Sequence, residues 1–179
     1  MVKSFLTRLL HGLLAVTVVH QLIVSLVMEG PRHGKPAAGL PGALFDLHQS
    51  VGLFAFGAVM AFWLWTFVRR GETPLGKLVP WFSAARLQAL KADAVRHLQA
   101  LRRMDLPEYR PEGALAAATH GLGLLAVTAM GATGAVIYFT AGEPGTAGQI
   151  ARFTKVVHES LANLAWDYFY GHVGSSLLY

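Results

Sequence analysis

The chain has 179 residues, 54% of them hydrophobic and only 14% charged, with a net charge of +5 and no cysteine. Soluble domains carry about 25% charged residues, so this composition excludes an ordinary soluble enzyme and points to one integral membrane domain spanning 1–179. The absence of thiols excludes disulfides, thiolate nucleophiles, cysteine-held iron–sulfur clusters and covalent haem through C-x-x-C-H.

A membrane-crossing helix needs about 20 mostly apolar residues. The first predicted span covers 6–28. Lys3 and Arg8 precede or open it, as in a signal peptide, but the apolar run is too long. It continues into Val27-Met28-Glu29-Gly30 without a small-residue cleavage site, so it reads as a retained helix. The second span covers 47–68, has no Asp, Glu, Lys or Arg, and opens at His48. In the connection that follows, Ser83 is placed to cap a helix over about 83–104. Leu87, Leu90, Ala94, Leu98 and Leu101 recur there at helical spacing, with Arg86, Lys91, Arg96, Arg102 and Arg103 mostly on other faces. Pro107 and Pro111 close the segment. This is the pattern of an amphipathic helix on a lipid surface, with docking on a soluble partner as the alternative.

The third span covers 114–140. The fourth covers 153–179 and is the most polar, with His158, Glu159, Asn163, Asp167 and His172. The fold expected is therefore all-α: an integral membrane four-helix bundle with an additional interfacial helix. Trp63, Trp65, Trp81 and Tyr179 read as interfacial aromatics. Eleven basic residues fall on one side of these spans (Lys3, Arg8, Arg69, Arg70, Lys77, Arg86, Lys91, Arg96, Arg102, Arg103, Arg110). Four fall on the other (Arg32, Lys35, Arg152, Lys155). That asymmetry puts both termini and the 69–112 connection in the cytoplasm. It also accounts for the basic excess without a nucleic-acid partner.

Ionisable side chains inside a bilayer are costly and point to function. His158 and His172 are 14 residues apart. At about 100° per residue they fall about 40° short of four full turns, and so share a face, roughly 21 Å apart along the axis. One metal ion cannot use both; two stacked cofactors can. The second and fourth spans both enter from the outer side, so His48 matches His158 in depth. The first span enters from the cytoplasm, so His11 matches His172. Haem iron takes two axial imidazoles, and four-helix bundles build such sites from facing helices. Gly12, Gly52, Gly171 and Gly174 would let a flat ring approach the backbone. His120 lies at the cytoplasmic depth too and is an alternative to His11, or a neighbour of a quinone. His20 follows His11 by nine residues and Asp167 follows His158 by nine, which places each on the opposite helix face. His20 is assigned to packing or a partner contact. Asp167 is neutral, faces another subunit, or carries protons to a quinone. A haem-free carrier of metal ions or protons would need ligands at one depth, whereas these five histidines split into an outer pair and a cytoplasmic trio.

Four pieces of the chain resemble the bacterial cytochrome b561 family and the related b-type cytochromes that anchor hydrogenases and other respiratory enzymes. They are Arg8-Leu9-Leu10-His11-Gly12, His48-Gln49-Ser50-Val51-Gly52-Leu53, Ala118-Thr119-His120-Gly121, and His158-Glu159-Ser160-Leu161-Ala162-Asn163-Leu164-Ala165-Trp166 with His172-Val173 following. The resemblance implies two non-covalent b haems in a bacterial inner-membrane protein. His11 and His172 would be the axial ligands of the cytoplasmic haem, and His48 and His158 those of the outer one. It also implies electron exchange with a quinone. Two functions fit: a quinone-linked oxidoreductase, including superoxide:ubiquinone oxidoreductase, or a haem-bearing anchor subunit of a larger respiratory complex. The partners implied are membrane lipid, quinone, and a soluble redox subunit or a second copy of the chain.

Overall fold

The computed structural model describes residues 3–31, 37–105, 110, 113–142 and 145–177. Arg32, Lys35, Pro107, Pro111 and Tyr179, used above for orientation, helix closure and interface, lie outside the described residues. Among the described residues all regular structure is helical. The helices are α1 (Phe5–Ser25), α2 (Gly39–Val68), α3 (Leu75–Leu78), α4 (Ala84–Arg102), α5 (Ala114–Thr140) and α6 (Thr146–Leu177), with one 3₁₀ turn at Pro80–Phe82. α2 begins eight residues before the expected apolar stretch. Pro41 sits in its first turn, where an amide would have no helical partner anyway.

α1, α2 and α5 are long and apolar enough to cross a membrane. α6 has the length, 32 residues, but Arg152, Lys155, Glu159 and Asp167 make it more polar than the other three. α1 packs on α2, α2 on α5, and α5 on α6. Each pair is antiparallel. The Trp65 indole N–H donates to Thr7 Oγ1 at 2.9 Å, joining the end of α2 to the start of α1. The Trp63 indole N–H donates to Thr128 Oγ1 at 2.9 Å. Both indoles, expected at a lipid interface, are half-buried and tie helices together. A buried indole needs a partner for its N–H, and a helix hydroxyl supplies one.

This arrangement gathers the starts of α1 and α5 with the finishes of α2 and α6. Lys3, Arg8, Arg69 and Arg70 lie there, and it is called the basic end below; the other is the far end. Leu10, Leu14, Ala58, Val59, Phe62, Leu78 and Leu124 form the buried apolar cluster. Leu78 joins it because α3 lies directly on α5. A Cβ at Gly121 would collide with the Leu78 carbonyl, so only glycine allows that approach.

Two carboxylates fasten the basic end. Glu72 accepts from the Ser4 amide at 3.1 Å and the Thr7 hydroxyl at 2.8 Å, and pairs with Arg69 at 3.5 Å. Asp93 on α4 accepts from the Leu115 amide at 2.9 Å and from Arg96 at 2.7 Å. α5 starts after Gly113, which has no capping side chain, so Asp93 supplies the missing acceptor from another helix. Burial alone would raise the Asp93 carboxyl; the Leu115 amide and the Arg96 guanidinium outweigh it and hold the group below the usual carboxylate range. Ser83 does occupy the cap position of α4, but its side chain makes no cap hydrogen bond. Its carbonyl starts the helix instead, accepting from the Leu87 amide at 2.9 Å. Leu90 and Ala94 are half-buried, whereas Leu87, Leu98 and Leu101 are exposed.

Candidate functional site

Five of the eight histidines line one continuous cavity of about 500 Å³ that runs between the helices. His11 (α1), His120 (α5) and His172 (α6) lie toward the basic end, His48 (α2) and His158 (α6) toward the far end. The wall between them is mostly apolar, with Leu14, Val18, Leu53, Phe56, Leu124, Val127 and Met130. Lys3, Arg8 and Arg69 line the basic end of the same space. Of the remaining histidines, His20 is half-buried off the cavity and within electrostatic reach of His48. His97 on α4 has its Nδ1 2.8 Å from the Asp93 carbonyl, and His33 lies outside the described residues.

At the far end the His48 and His158 rings stand 6.5 Å apart, centre to centre, and nearly perpendicular at 87°. At the basic end His11 is 6.3 Å from His172 and 6.4 Å from His120, while His120 and His172 are 5.2 Å apart. One ring nitrogen from each of these three lies within 4.8 Å of the others. Two imidazoles bound at about 2 Å on opposite sides of one metal would have ring centres about 6 Å apart. The His48–His158, His11–His172 and His11–His120 separations all suit that geometry.

The surroundings decide which ring nitrogen is free. Thr133 Oγ1 lies 2.8 Å from His158 Nδ1. Its single hydroxyl proton is directed back along α5 to the Ala129 carbonyl, at 2.8 Å, and the Met130 carbonyl, at 3.0 Å. The oxygen therefore accepts from Nδ1–H, and His158 Nε2 keeps its lone pair. His120 Nδ1 lies 2.7 Å from the Ala116 carbonyl, which can only accept. Its Nε2 likewise keeps the lone pair. His48 Nδ1 is buried without a partner, beside Gln21, whose amide donates to the His48 carbonyl at 2.8 Å and whose own Oε1 is also buried and unpartnered. His172 stacks on Tyr168 at 5.3 Å and 10°.

The glycines are in part not those expected. Gly52 lines the cavity, but Gly12, Gly171 and Gly174 are exposed and do not. Gly123, Gly131 and Gly134 on α5 take their place; a Cβ at Gly134 would sit 3.4 Å from the His158 ring. Thr133, Gly134 and Tyr168 escaped the sequence reading, although a signal existed. Thr133 is 19 residues from the start of α5 and His158 is 19 residues from the end of α6, so the two match in depth on antiparallel helices. Tyr168 precedes His172 by four residues, one helical turn. Asp167 and Asn163 are exposed on the outer face of α6.

An apolar slot with opposed imidazoles, two of them (His158 and His120) holding Nε2 free, and glycine-lined walls suits a planar metal macrocycle. The prokaryotic cytochrome b561 family matches residues 2–179, and the chain belongs to it. It is thus a membrane b-type cytochrome of electron transfer, from a family that binds b haem. No curated protein and no solved structure matches the chain.

Proposed function

We propose that this cytochrome b561-family chain holds two b haems and carries electrons across the membrane in exchange with the quinone pool. The observation that supports this most is the split of five imidazoles into two groups along one cavity, each with rings about as far apart as two axial ligands would be. His48 and His158 would hold one haem and His11 and His172 the other, with His120 the alternative at the basic end. Bound haem supplies one-electron redox chemistry, at a potential set by its ligands and their hydrogen bonds. The chain's own part is to orient the imidazoles through Thr133 and Tyr168, to exclude water with the apolar wall, and to offer Lys3, Arg8 and Arg69 to carboxylate groups.

In this reading α1, α2, α5 and α6 form a four-span bundle in the bacterial inner membrane. The basic end faces the cytoplasm, with both termini, and α4 lies on the lipid surface. The lysine and arginine asymmetry supports the orientation. The exposed Leu87, Leu98 and Leu101 of α4 support the surface placement.

A reduced-minus-oxidised spectrum and a haem assay on the purified chain test the proposal. The expected result is a b-type band and two haems per chain; no band on reduction would sink it. Superoxide consumption by stopped flow with a ubiquinone analogue tests the standalone oxidoreductase. A second reading, the haem-bearing anchor of a larger respiratory complex, is favoured by the same exposed apolar side chains on α4 and by Asn163 and Asp167 on the outer face of α6. Stoichiometric recovery of a soluble redox subunit in mild detergent would decide for it.

A further inference from the structure

We infer that Gln21 of α1 is a positioning residue for His48: its side-chain carbonyl takes the His48 Nδ1 proton, directly or through one water, and leaves Nε2 with its lone pair for the iron. The inference rests on the haem-binding reading above. It gives each far-end ligand an outer partner, because Thr133 already serves His158 in that way. The Gln21 amide Nε2 donates to the His48 carbonyl at 2.8 Å. A carbonyl can only accept, so this bond fixes which end of the amide faces it. Oε1 is the end left over, and it is buried without a partner. Among the described residues His48 Nδ1 is buried without a partner too. One side chain thus holds an acceptor in need of a proton, and the other a nitrogen that must carry one if Nε2 is to ligate.

The surroundings agree. His97 and His120 settle Nδ1 on the carbonyl four residues back along their own helices, at 2.8 and 2.7 Å. His48 makes no such bond, so its acceptor comes from another helix. α1 packs directly on α2, and Gln21 lines the cavity together with His48. A Cβ at Gly52, one turn after His48, would come within 3.1 Å of the Gln21 amide nitrogen, so glycine there leaves the amide its place. Two buried polar atoms left apart each carry an unrecovered desolvation cost, which pairing them removes. His20 buries its Nδ1 as well but lies off the cavity, and it serves as the control below.

The test is redox potentiometry, followed by low-temperature electron paramagnetic resonance, together with haem release to a competing apoprotein, on the full-length chain in detergent. The signal lost in His48→Ala identifies the far-end haem. An acceptor on Nδ1–H makes the imidazole more basic and favours the ferric state. Gln21→Leu and Gln21→Met lack the acceptor. In both, the far-end potential should rise, and the far-end haem should leave about 10–100-fold faster. Gln21→Glu keeps an acceptor at the same place, so its far-end potential should stay at or below that of wild type. The basic-end haem should hold its potential in all three variants, and its presence reports on folding. If Gln21→Leu loses both haems, Gln21→Met, whose side chain has nearly the wild-type length, decides. A rise in Gln21→Glu equal to that in Gln21→Met would mean that residue 21 acts by packing, and overturns the inference. So does an unchanged far-end haem in Gln21→Met, a shift shared by both haems, or a His20→Leu variant that matches Gln21→Leu. Wild type without a far-end haem would instead overturn the parent reading, so the two failures are distinguishable.

Discussion

The two ends of the cavity solve the same problem with different margins. Among the described residues the far end brings two imidazoles to the cavity, and Thr133 pins one of them at 2.8 Å. The basic end has three within 4.8 Å, one of them the exposed His11. A site with two ligands and a fixed tautomer has no redundancy, so its occupancy should depend steeply on each side chain. A site with a third imidazole close by should depend less steeply on any one of them. The number of histidines at one depth therefore does not by itself count the cofactors.

His48→Ala gives the largest expected effect, because among the described residues no third imidazole lines the cavity at the far end. Haem per chain should fall from two to one, and a variant that keeps both would break the contrast between the ends. Thr133→Val should be milder. It removes the acceptor for His158 Nδ1–H but leaves the ligand in place. Loss of such an outer partner weakens binding by about 10–100-fold in metal sites. Haem release from the far end to a competing apoprotein should rise by about that factor, with the basic-end haem unaffected. Equal release from both ends would mean that Thr133 acts on folding and not on His158.

The helical class and the depth pairing of the histidines were legible because they depend on period and direction alone. A rise of about 1.5 Å and a turn of about 100° per residue place His158 and His172 on one face without any knowledge of neighbours. Three side chains were not legible for a common reason: their role comes from another helix. Thr133 reads as one more hydroxyl in an apolar run until α6 lies beside it. Trp63 and Trp65 read as interfacial until Thr128 and Thr7 accept their N–H groups. Gly12 and Gly171 adjoin histidines in sequence, yet a helix turns adjacent residues about 100° apart, so they point away from the cavity. The rivalry of His11 and His120 was visible as shared depth. That His11 faces both His120 and His172 needed the lateral order of the helices.

The smallest expected effect lies outside the cavity and tests whether the basic end is also mechanically separate. Asp93 holds α4 to the first turn of α5 through the Leu115 amide at 2.9 Å. Asp93→Ala leaves that amide without its acceptor, at a cost of about 1 kcal/mol for a helix-cap interaction. In a chain of this length that is a fall of about 2–4 °C in Tm. The native Asp93 carboxyl is held below its ordinary value, so the unfolded chain takes up its proton first as the pH drops. The stabilisation is therefore complete above the ordinary aspartate value of about 3.9 and fades as pH falls through the lower native one. The Tm difference between wild type and Asp93→Ala should be full at neutral pH and shrink on acidification. Hydrogen exchange should speed up at Leu115 and along α4, and stay unchanged around His48 and His158. A difference that is flat with pH would remove the carboxylate from the explanation. Faster exchange at the far end would show that the two ends open together, as one cooperative unit.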